Sequence, residues 1–595
     1  MTDDHATSND ALTEPLLSSQ QERNNNDTNE DVVVLSQLSP ATTSNNNNSN
    51  NNNNNNNSDV KRDVPAASED AENTTSSSAP ESFSIQTEIV EMLHLALPLA
   101  VSFFCRMGMA STDSAFVGHI HDGQHQPETY LAAAVLSDMV LNICITPPLA
   151  FNQVLNGLVS QAMGSGNPAM AGVWLQQSIF WLTVTMLPCL VGLLHVKPIL
   201  ELLGFPSDIA IVAGTYAKYN MIWPIPNGIY QCLRFYFQAR GLPRPAMYNN
   251  LLFLGINALL NWFFVFGGPT SWKGLGFIGA AISLSISRTM QGVCYYLYMF
   301  VYNKHHLGAW PEGGWSFRHH TKERTYEFMK QSLPNIGTLL FQAFASQATT
   351  VLVGRLGELS IAASSALSTV TIPWSGTLSA TCCTVSGVRV GYHLGRGDGA
   401  AAKRASWIVM QFITVVNVIM AVVFLIPYLK DKVINIATDD EGLVALAETL
   451  VPAMLVGTYL NLLVSNGTSG VFSGQGRPLI ATILSFGLEL PLSIGGVAIY
   501  ILVFHGDLLG VYWFNAISGA VEAAIVLYLI MSSNWTKCAD EARERQEASR
   551  RSASESGENT ADVEDGALSM ATTDPESSSD DNEEEAPLTE NVDHE

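Results

Sequence analysis

Long apolar segments dominate the chain between residues 89 and 531. The hydrocarbon core of a bilayer is about 30 Å thick, so a helix that crosses it needs about 20 predominantly apolar residues. Twelve segments meet this requirement: residues 89–117, 130–153, 171–194, 209–237, 245–267, 276–301, 326–353, 361–386, 405–428, 444–472, 479–503 and 508–531. Because 47% of the residues are hydrophobic and only 14% are charged, we predict an all-α polytopic membrane protein with twelve transmembrane helices.

Two polar tails flank this apolar body. Residues 1–84 are rich in Asn and Ser, and residues 536–595 are acidic, so neither tail can bury enough apolar surface to order itself. We therefore expect both tails to be disordered. The two tails carry nearly the whole formal net charge of −25, so the body is close to neutral. Because the body lacks the positive charge that attracts nucleic acid, we do not expect it to bind nucleic acid. The eight cysteines show no metal-ligand spacing, and we expect neither a metal nor a cofactor.

The basic residues of the short loops predict the orientation in the membrane. Loops that follow even-numbered segments are rich in Lys and Arg, and loops that follow odd-numbered segments are poor in them. Because basic loops stay on the cytoplasmic side, we expect both tails to lie in the cytoplasm. The sequence is compatible with the plasma membrane or the vacuolar membrane.

The chain also contains an internal repeat. The interval from Pro98 to Gly118 recurs from Pro334 to Gly354, and two further pairs match in the same order: Gly164-Ser-Gly166 with Gly395-Arg-Gly397, and Gly241 with Gly476. The repeat predicts two pseudo-symmetric six-helix lobes, residues 85–303 and 325–535, joined by a cytoplasmic loop at residues 304–324. Duplicated lobes suit a carrier with a substrate site between them.

The order and spacing of several short segments resemble the multidrug and toxic compound extrusion (MATE) family over about residues 85–535. These segments are Thr112-Asp-Ser-Ala-Phe-Val-Gly118, Gln161-Ala-Met-Gly-Ser-Gly166, Phe237-Gln-Ala-Arg-Gly241, Asn257-Ala-Leu-Leu-Asn261, Gly276-Phe-Ile-Gly-Ala-Ala281, Arg389-Val-Gly-Tyr-His-Leu-Gly-Arg-Gly397 and Gly470-Val-Phe-Ser-Gly-Gln-Gly476. The resemblance is to eukaryotic-type members, with a first-helix aspartate that is similar to that of bacterial members.

The resemblance implies an antiporter that exports organic solutes, such as drugs, toxins or metabolites, in exchange for protons or sodium ions. The protein would then be a transporter and not an enzyme, with a small organic molecule and membrane lipids as its partners. We expect a monomer. Two alternatives remain: a flippase for lipid-linked substrates from the same superfamily, and a receptor derived from a transporter.

Asp113 in the first apolar segment is the first candidate for the coupling group, because it resembles the coupling aspartate of bacterial members. An ionisable group inside a membrane helix is costly and therefore needs a partner or a function. Asn257 and Asn261 share one face of the fifth segment and resemble the polar positions that face this aspartate. The alternatives are an aspartate that faces water near the helix end, and asparagines that only join helices by hydrogen bonds.

The second half departs from the family pattern. Eukaryotic members carry glutamates in the seventh helix, at positions that correspond here to Gln342 and Gln347, and the tenth-helix carboxylate expected near Asn461 is absent. Glutamine cannot titrate, so these two residues are candidates for substrate contact or for packing. Glu489 in the eleventh segment is a further candidate for ion coupling, or else a cavity-facing or surface residue. Glu522 is interpreted as a packing or interfacial residue.

Four aromatic residues are candidates for binding substrate between the two lobes by stacking or cation–π contact: Trp223, Tyr230, Phe235 and Trp374.

Few basic residues lie within the segments: Arg106, Lys218, Arg234 and Arg288. A flippase for lipid-linked sugars would be expected to have a strongly cationic central cavity. In the cytoplasmic motif of the second half, Arg389 and Arg396 could join the two lobes through Asp398, although the bias of basic residues toward the cytoplasm also explains them.

Overall fold

The computed structural model describes residues 84–120, 126–269, 272–311, 314–426 and 441–555. Within these ranges the regular structure is helical and contains no β-strand. The predicted disorder of residues 1–83 and 556–595 concerns segments outside the described residues.

The first half consists of eight α-helices, the last of which continues as a π-helix, Leu297–Tyr302. In chain order they are α1 Ile85–Gly118, α2 Pro127–Gly164, α3 Pro168–Leu193, α4 Val196–Leu202, α5 Ser207–Asn220, α6 Pro224–Ala239, α7 Arg244–Phe266 and α8 Gly276–Tyr296.

The second half repeats long helices of this kind and contains two further π-helices, Asn466–Phe472 and Ser485–Gly495. Its α-helices are α9 Lys322–Gly354, α10 Glu358–Gly395, α11 Gly399–Leu425, α12 Glu441–Ser465, α13 Pro478–Leu484, α14 Gly496–Leu502, α15 Leu508–Ser532 and α16 Trp535–Glu555. The connection between the halves also holds two short 3₁₀ turns, Leu307–Ala309 and Phe317–His319.

Each predicted transmembrane segment coincides with one of these helices or with consecutive helical pieces. Among the described residues, nine helical stretches are long and apolar enough to cross a membrane by length and composition. The other three predicted segments are more polar or interrupted: the fourth is divided between α5 and α6 before Pro224, the sixth is the Ser- and Arg-containing α8, and the eighth is α10. The predicted all-α polytopic architecture is confirmed.

The glycine motifs of the internal repeat have a structural reason. Gly164 at the end of α2 lies directly against the carbonyl of Tyr392 in α10, and Gly395 at the end of α10 lies against the carbonyl of Gln161 in α2. A Cβ atom at either position would overlap the backbone of the other helix. The following glycines, Gly166 and Gly397, have φ of 69° and 82°, a left-handed conformation that favours glycine at a helix end. The repeated motif therefore allows two helices from different halves to cross closely.

Aromatic packing extends the contact between the halves. Phe328 in α9 is fully buried and stacks against Phe151 in α2, with ring centroids 5.8 Å apart, and against Trp174 in α3. One hydrophobic core therefore includes side chains from both halves.

A buried ion pair joins α1 to α10 beside this core. Arg389 donates two hydrogen bonds to the carboxylate of Glu88, at 2.8 and 2.6 Å, and Nε2 of His393 lies 3.1 Å from the same carboxylate. Only 4% of Glu88 is exposed. Arg389 thus joins the halves through Glu88, and Asp398 instead caps the start of α11 by accepting a hydrogen bond from the amide of Ala401.

The C-terminal segment differs from the sequence-based expectation. Residues 536–555, expected to be disordered, belong to α16, which buries a stripe that includes Trp535, Cys538 and Ala542. Arg543 donates to the carbonyl of Arg396 at the end of α10, a favourable place for a cation because helix C-terminal carbonyls carry negative partial charge. The prediction of disorder rested on the high charge of this segment and did not consider the helical spacing of its apolar residues.

The segment between the halves packs on the first half. The hydroxyl of Tyr236 donates to the backbone carbonyl of Ala309 at 2.8 Å, and the side-chain amide of Gln176 donates to the backbone carbonyl of Gly314 at 2.9 Å. These contacts hold the connection against α3 and α6.

We expect Glu88→Gln to lower the thermal unfolding midpoint of the purified protein in detergent, followed by intrinsic tryptophan fluorescence. Breaking a buried ion pair by removing one charge costs about 3–5 kcal/mol, because the partner charge stays buried without compensation. The matched control is Glu544→Gln, an exposed glutamate of α16, which should leave the midpoint unchanged. Equal midpoints for Glu88→Gln and the wild type would contradict a stabilising role of the pair.

Candidate functional site

Asp113 lies in α1 and is held by two side chains of α7. The amide nitrogens of Asn257 and Asn261 both donate to Oδ1 of Asp113, each at 2.8 Å. The two asparagines are fully buried, and their four-residue spacing places both amides on the same face of α7. The structure therefore brings together the three residues that the sequence selected in the first half.

Several oxygen atoms of this cluster have no partner among the described residues. Oδ2 of Asp113 accepts no hydrogen bond there, since both amide donors bind Oδ1. The amide oxygens of Asn257 and Asn261 are buried and also lack a hydrogen-bond partner. Carboxylate and amide oxygens are the ligands of hard cations, and a carboxylate oxygen can equally accept a proton. The cluster therefore offers oxygen ligands that suit a hard cation and an oxygen that can accept a proton.

Two charged residues lie within electrostatic range of Asp113: Arg288 in α8 and Asp138 in α2. The sequence analysis missed Asp138. It stands between Ser137 and Met139 in the second apolar segment, so the criterion that selected Asp113, an acid within a membrane helix, applies to it as well.

Three of the four basic residues within the segments come together in the first half. Arg106 interacts electrostatically with both Arg234 and Arg288, whereas Lys218 is exposed on α5. These three residues lie far apart in the sequence, but the structure concentrates their positive charge in the interior of the first half.

The second half contains a cavity of about 710 Å³. Gln342 from α9, Glu489 from the π-helix Ser485–Gly495 and Glu522 from α15 line it, together with many Ser and Thr side chains. Ser493 donates to Glu522 at 3.3 Å, and the two glutamates interact electrostatically. Among the described residues that line the cavity, these glutamates are the only ionisable ones. Glu522, interpreted from sequence as a packing residue, thus joins Glu489 at an acidic cavity.

The remaining candidates for substrate contact lie in different surroundings. Gln347 is exposed and is not among the residues that line the cavity with Gln342. Trp223 is buried in an apolar cluster at the start of α6, and Trp374 packs against the core that the halves share.

Tyr230 and Phe235 are engaged by other side chains of the protein. Tyr230 is only 1% exposed, donates to Oδ1 of Asn250 at 2.7 Å and packs edge-on against Tyr295. The guanidinium of Arg234 lies 4.6 Å from the ring centroid of Phe235. These rings shape the interior of the first half and leave little of Tyr230 for stacking on a substrate.

In the part of the chain that the structure describes, no group of three or more His, Cys, Asp or Glu side chains is arranged to hold a metal ion.

Comparison with known proteins agrees with this arrangement. The family model MatE matches residues 98–263 and residues 334–494, which together make up more than half of the chain and correspond to the two repeats. Multidrug and toxin extrusion protein 1 of Homo sapiens is 26% identical over 467 residues, 77% of this chain and 77% of that protein. Protein DETOXIFICATION 34 of Arabidopsis thaliana is 27% identical over 472 residues, 77% of this chain and 81% of that protein.

A solved structure shares the fold. The crystal structure of the eukaryotic MATE transporter AtDTX14 superimposes with a TM-score of 0.66 at 20% sequence identity, over 77% of this chain and 99% of that chain. Together with the two matches to the family model, this likeness accounts for the twelve predicted segments and their repeat. The chain belongs to the MatE family and is a multi-pass membrane transporter.

Proposed function

We propose that this protein is a secondary active antiporter that exports organic solutes in exchange for protons or sodium ions. The observation that carries the proposal is the Asp113 cluster, in which one carboxylate oxygen is held by Asn257 and Asn261 while the other accepts no hydrogen bond from the described residues. The two amide donors fix the orientation of the carboxylate, so the arrival or departure of one ion changes the charge at a defined place. A receptor would need no such group.

Coupling follows if the ion binds one conformation of the carrier more tightly than the other. Each tenfold preference shifts the conformational equilibrium by about 1.4 kcal/mol. We propose that the two lobes, residues 85–303 and 325–535, separate and rejoin during the cycle. The close contacts between α2 and α10 and the Glu88–Arg389 pair lie at the ends that the basic loops assign to the cytoplasm, and they must separate before a solute enters from that side.

The acidic cavity of the second half supplies a second place for a cation. Two carboxylates close together in a medium of low dielectric constant repel each other, and a proton, a metal cation or a cationic solute bound between them relieves that repulsion. Gln342 on the same cavity wall can donate hydrogen bonds to a solute without changing its own charge. We therefore assign Glu489, Glu522 and Gln342 to ion or solute binding in the second half.

The proposal also covers the oligomeric state, the membrane and the orientation of the protein. We place it as a monomer in the plasma membrane or the vacuolar membrane, surrounded by lipid, with both tails in the cytoplasm. The basic loops after even-numbered apolar segments support this orientation.

Asp113→Asn should abolish uphill export of tetraethylammonium by proteoliposomes under either a proton or a sodium gradient, because the side chain can no longer exchange an ion. The hydrogen bonds from Asn257 and Asn261 can still reach the amide oxygen, so insertion and folding should persist. Asp208→Asn, at an exposed aspartate of α5, is the matched control and should retain export. Undiminished uphill export by Asp113→Asn would remove Asp113 from the coupling scheme, and whichever gradient drives the wild type identifies the ion.

The double variant Glu489→Gln with Glu522→Gln should weaken binding of tetraethylammonium about tenfold, or about 1.4 kcal/mol, because the cavity loses both negative charges while keeping its shape. Isothermal titration of the purified protein measures the effect. Glu323→Gln, at an exposed glutamate in the first turn of α9, serves as the control. Equal affinity in the double variant and the wild type would exclude the acidic cavity as the place where a cationic solute binds.

A further inference from the structure

Four polar residues connect four helices in the interior of the first half. Asn250 of α7 lies at the centre: it accepts from the hydroxyl of Tyr230 at 2.7 Å and from the amide of Gln291 at 2.8 Å, and its own amide donates to Ser102. We call these residues, on α1, α6, α7 and α8, the Asn250 network. All four are at least nine-tenths buried.

The three interior arginines lie close in sequence to members of this network: Arg106 follows Ser102 by four residues, Arg234 follows Tyr230 by four, and Arg288 precedes Gln291 by three. Contacts with α1 bring their guanidinium groups together. The guanidinium of Arg234 lies 4.8 Å from the ring centroid of Phe103, and Nη1 of Arg288 lies 3.6 Å from the sulfur of Met109. Phe103 precedes Arg106 by three residues and Met109 follows it by three, so about 9 Å of helix spans all three positions.

These guanidinium groups have few hydrogen-bond partners. Each guanidinium carries five N–H donors. Within the described residues Arg106 forms no hydrogen bond, and Arg288 reaches only the sulfur of Met109 at 3.6 Å, a weak acceptor. Nε of Arg234 donates to Gln231 at 2.9 Å, while its Nη1 is buried without a partner, in a residue that is only 2% exposed. None of the three forms an ion pair with a described residue.

The nearby acids offset this charge only in part. Asp113 attracts Arg288 but forms no ion pair with it among the described residues, since its hydrogen bonds come from Asn257 and Asn261, and Asp138 interacts with Asp113. Isolated cations in a membrane interior are costly. Arg106 and Arg288 are partly exposed although they lie in mid-helix. An anionic group that reaches them would receive charge-assisted, partly bidentate hydrogen bonds.

We propose that Arg106, Arg234 and Arg288 form a binding site for the carboxylate or phosphate group of an anionic ligand. The aromatic rings of Phe103 and Phe235, whose centroids lie 4.8 and 4.6 Å from the Arg234 guanidinium, provide apolar surface for the body of such a ligand. A cation at Asp113 attracts an anion at the arginines, which favours their binding together. This site goes beyond the proposed antiport cycle, because the anion and a cation at Asp113 bind to different groups and do not compete.

The test is isothermal titration of the full-length purified protein with benzoate and with benzylammonium, two ligands that have the same ring and opposite charge. We expect benzoate to bind at least about tenfold more tightly than benzylammonium to the Glu489→Gln, Glu522→Gln background, in which the acidic cavity no longer attracts cations. Compared with the wild type, Arg106→Gln should weaken the affinity for benzoate about tenfold. The affinity of Arg106→Lys, which keeps the charge, should stay within a few-fold of the wild-type value.

Arg318→Gln, an exposed arginine of the segment between the halves, is the control and should not alter benzoate binding. A parallel titration with short-chain phosphatidate distinguishes the two sources of such an anion. If phosphatidate binds more tightly than benzoate and its binding depends on Arg106, the ligand is a lipid headgroup. If benzoate binds more tightly than phosphatidate, the ligand is a free organic anion. Equal affinity for benzoate and benzylammonium, or unchanged benzoate binding by folded Arg106→Gln, would overturn the proposal. No ion gradient enters the experiment, so a failure of antiport would leave its result intact.

Discussion

Charge inside a lipid bilayer is the constraint on which the rest of this structure depends. A charged side chain within a membrane helix is stable only with a partner, a water-accessible cavity or a ligand, and this chain uses each solution at a different place. Glu489 and Glu522 face a cavity, and Asp113 is held by two neutral amides. Glu88 and Arg389, just outside the predicted segments, instead pair with each other where the two halves meet. This pair joins helices, whereas the acids within the segments are the ones that we propose bind ions or solute.

The two halves share a fold but differ in electrostatic character. Repeated glycines let α2 and α10 cross closely in equivalent ways, so the duplication is clear in the packing. The interior of the first half combines three arginines with Asp113 and Asp138, whereas the described lining of the second-half cavity contains two glutamates as its only ionisable groups. A pair of similar scaffolds with different interior charges can bind different ions or different ends of a solute in the two halves, which suits an exchanger.

Hydropathy and residue spacing predicted the fold because membrane spans must be long, apolar and internally hydrogen-bonded. Residue spacing also placed Asn257 and Asn261 on one helix face, and the resemblance to the family implied that this face meets Asp113. It did not assign Glu522 to the cavity, since a lone acid in an apolar run faces lipid, a neighbouring helix or a cavity depending on tertiary packing. Tyr230 was expected to contact substrate, but Asn250, on another helix, binds its hydroxyl. Helix-to-helix partners of this kind leave no periodic signal in the sequence.

The central claim is that movement of an ion through the carrier drives movement of a solute in the opposite direction. Its most direct test is to record ion flux and solute flux simultaneously in proteoliposomes that contain only the purified wild-type protein. The account predicts that uphill solute movement is accompanied by an opposite flux of protons or sodium ions and stops when both gradients are collapsed. Uphill movement that persists without any ion gradient, or solute movement with no opposing ion flux, would contradict it.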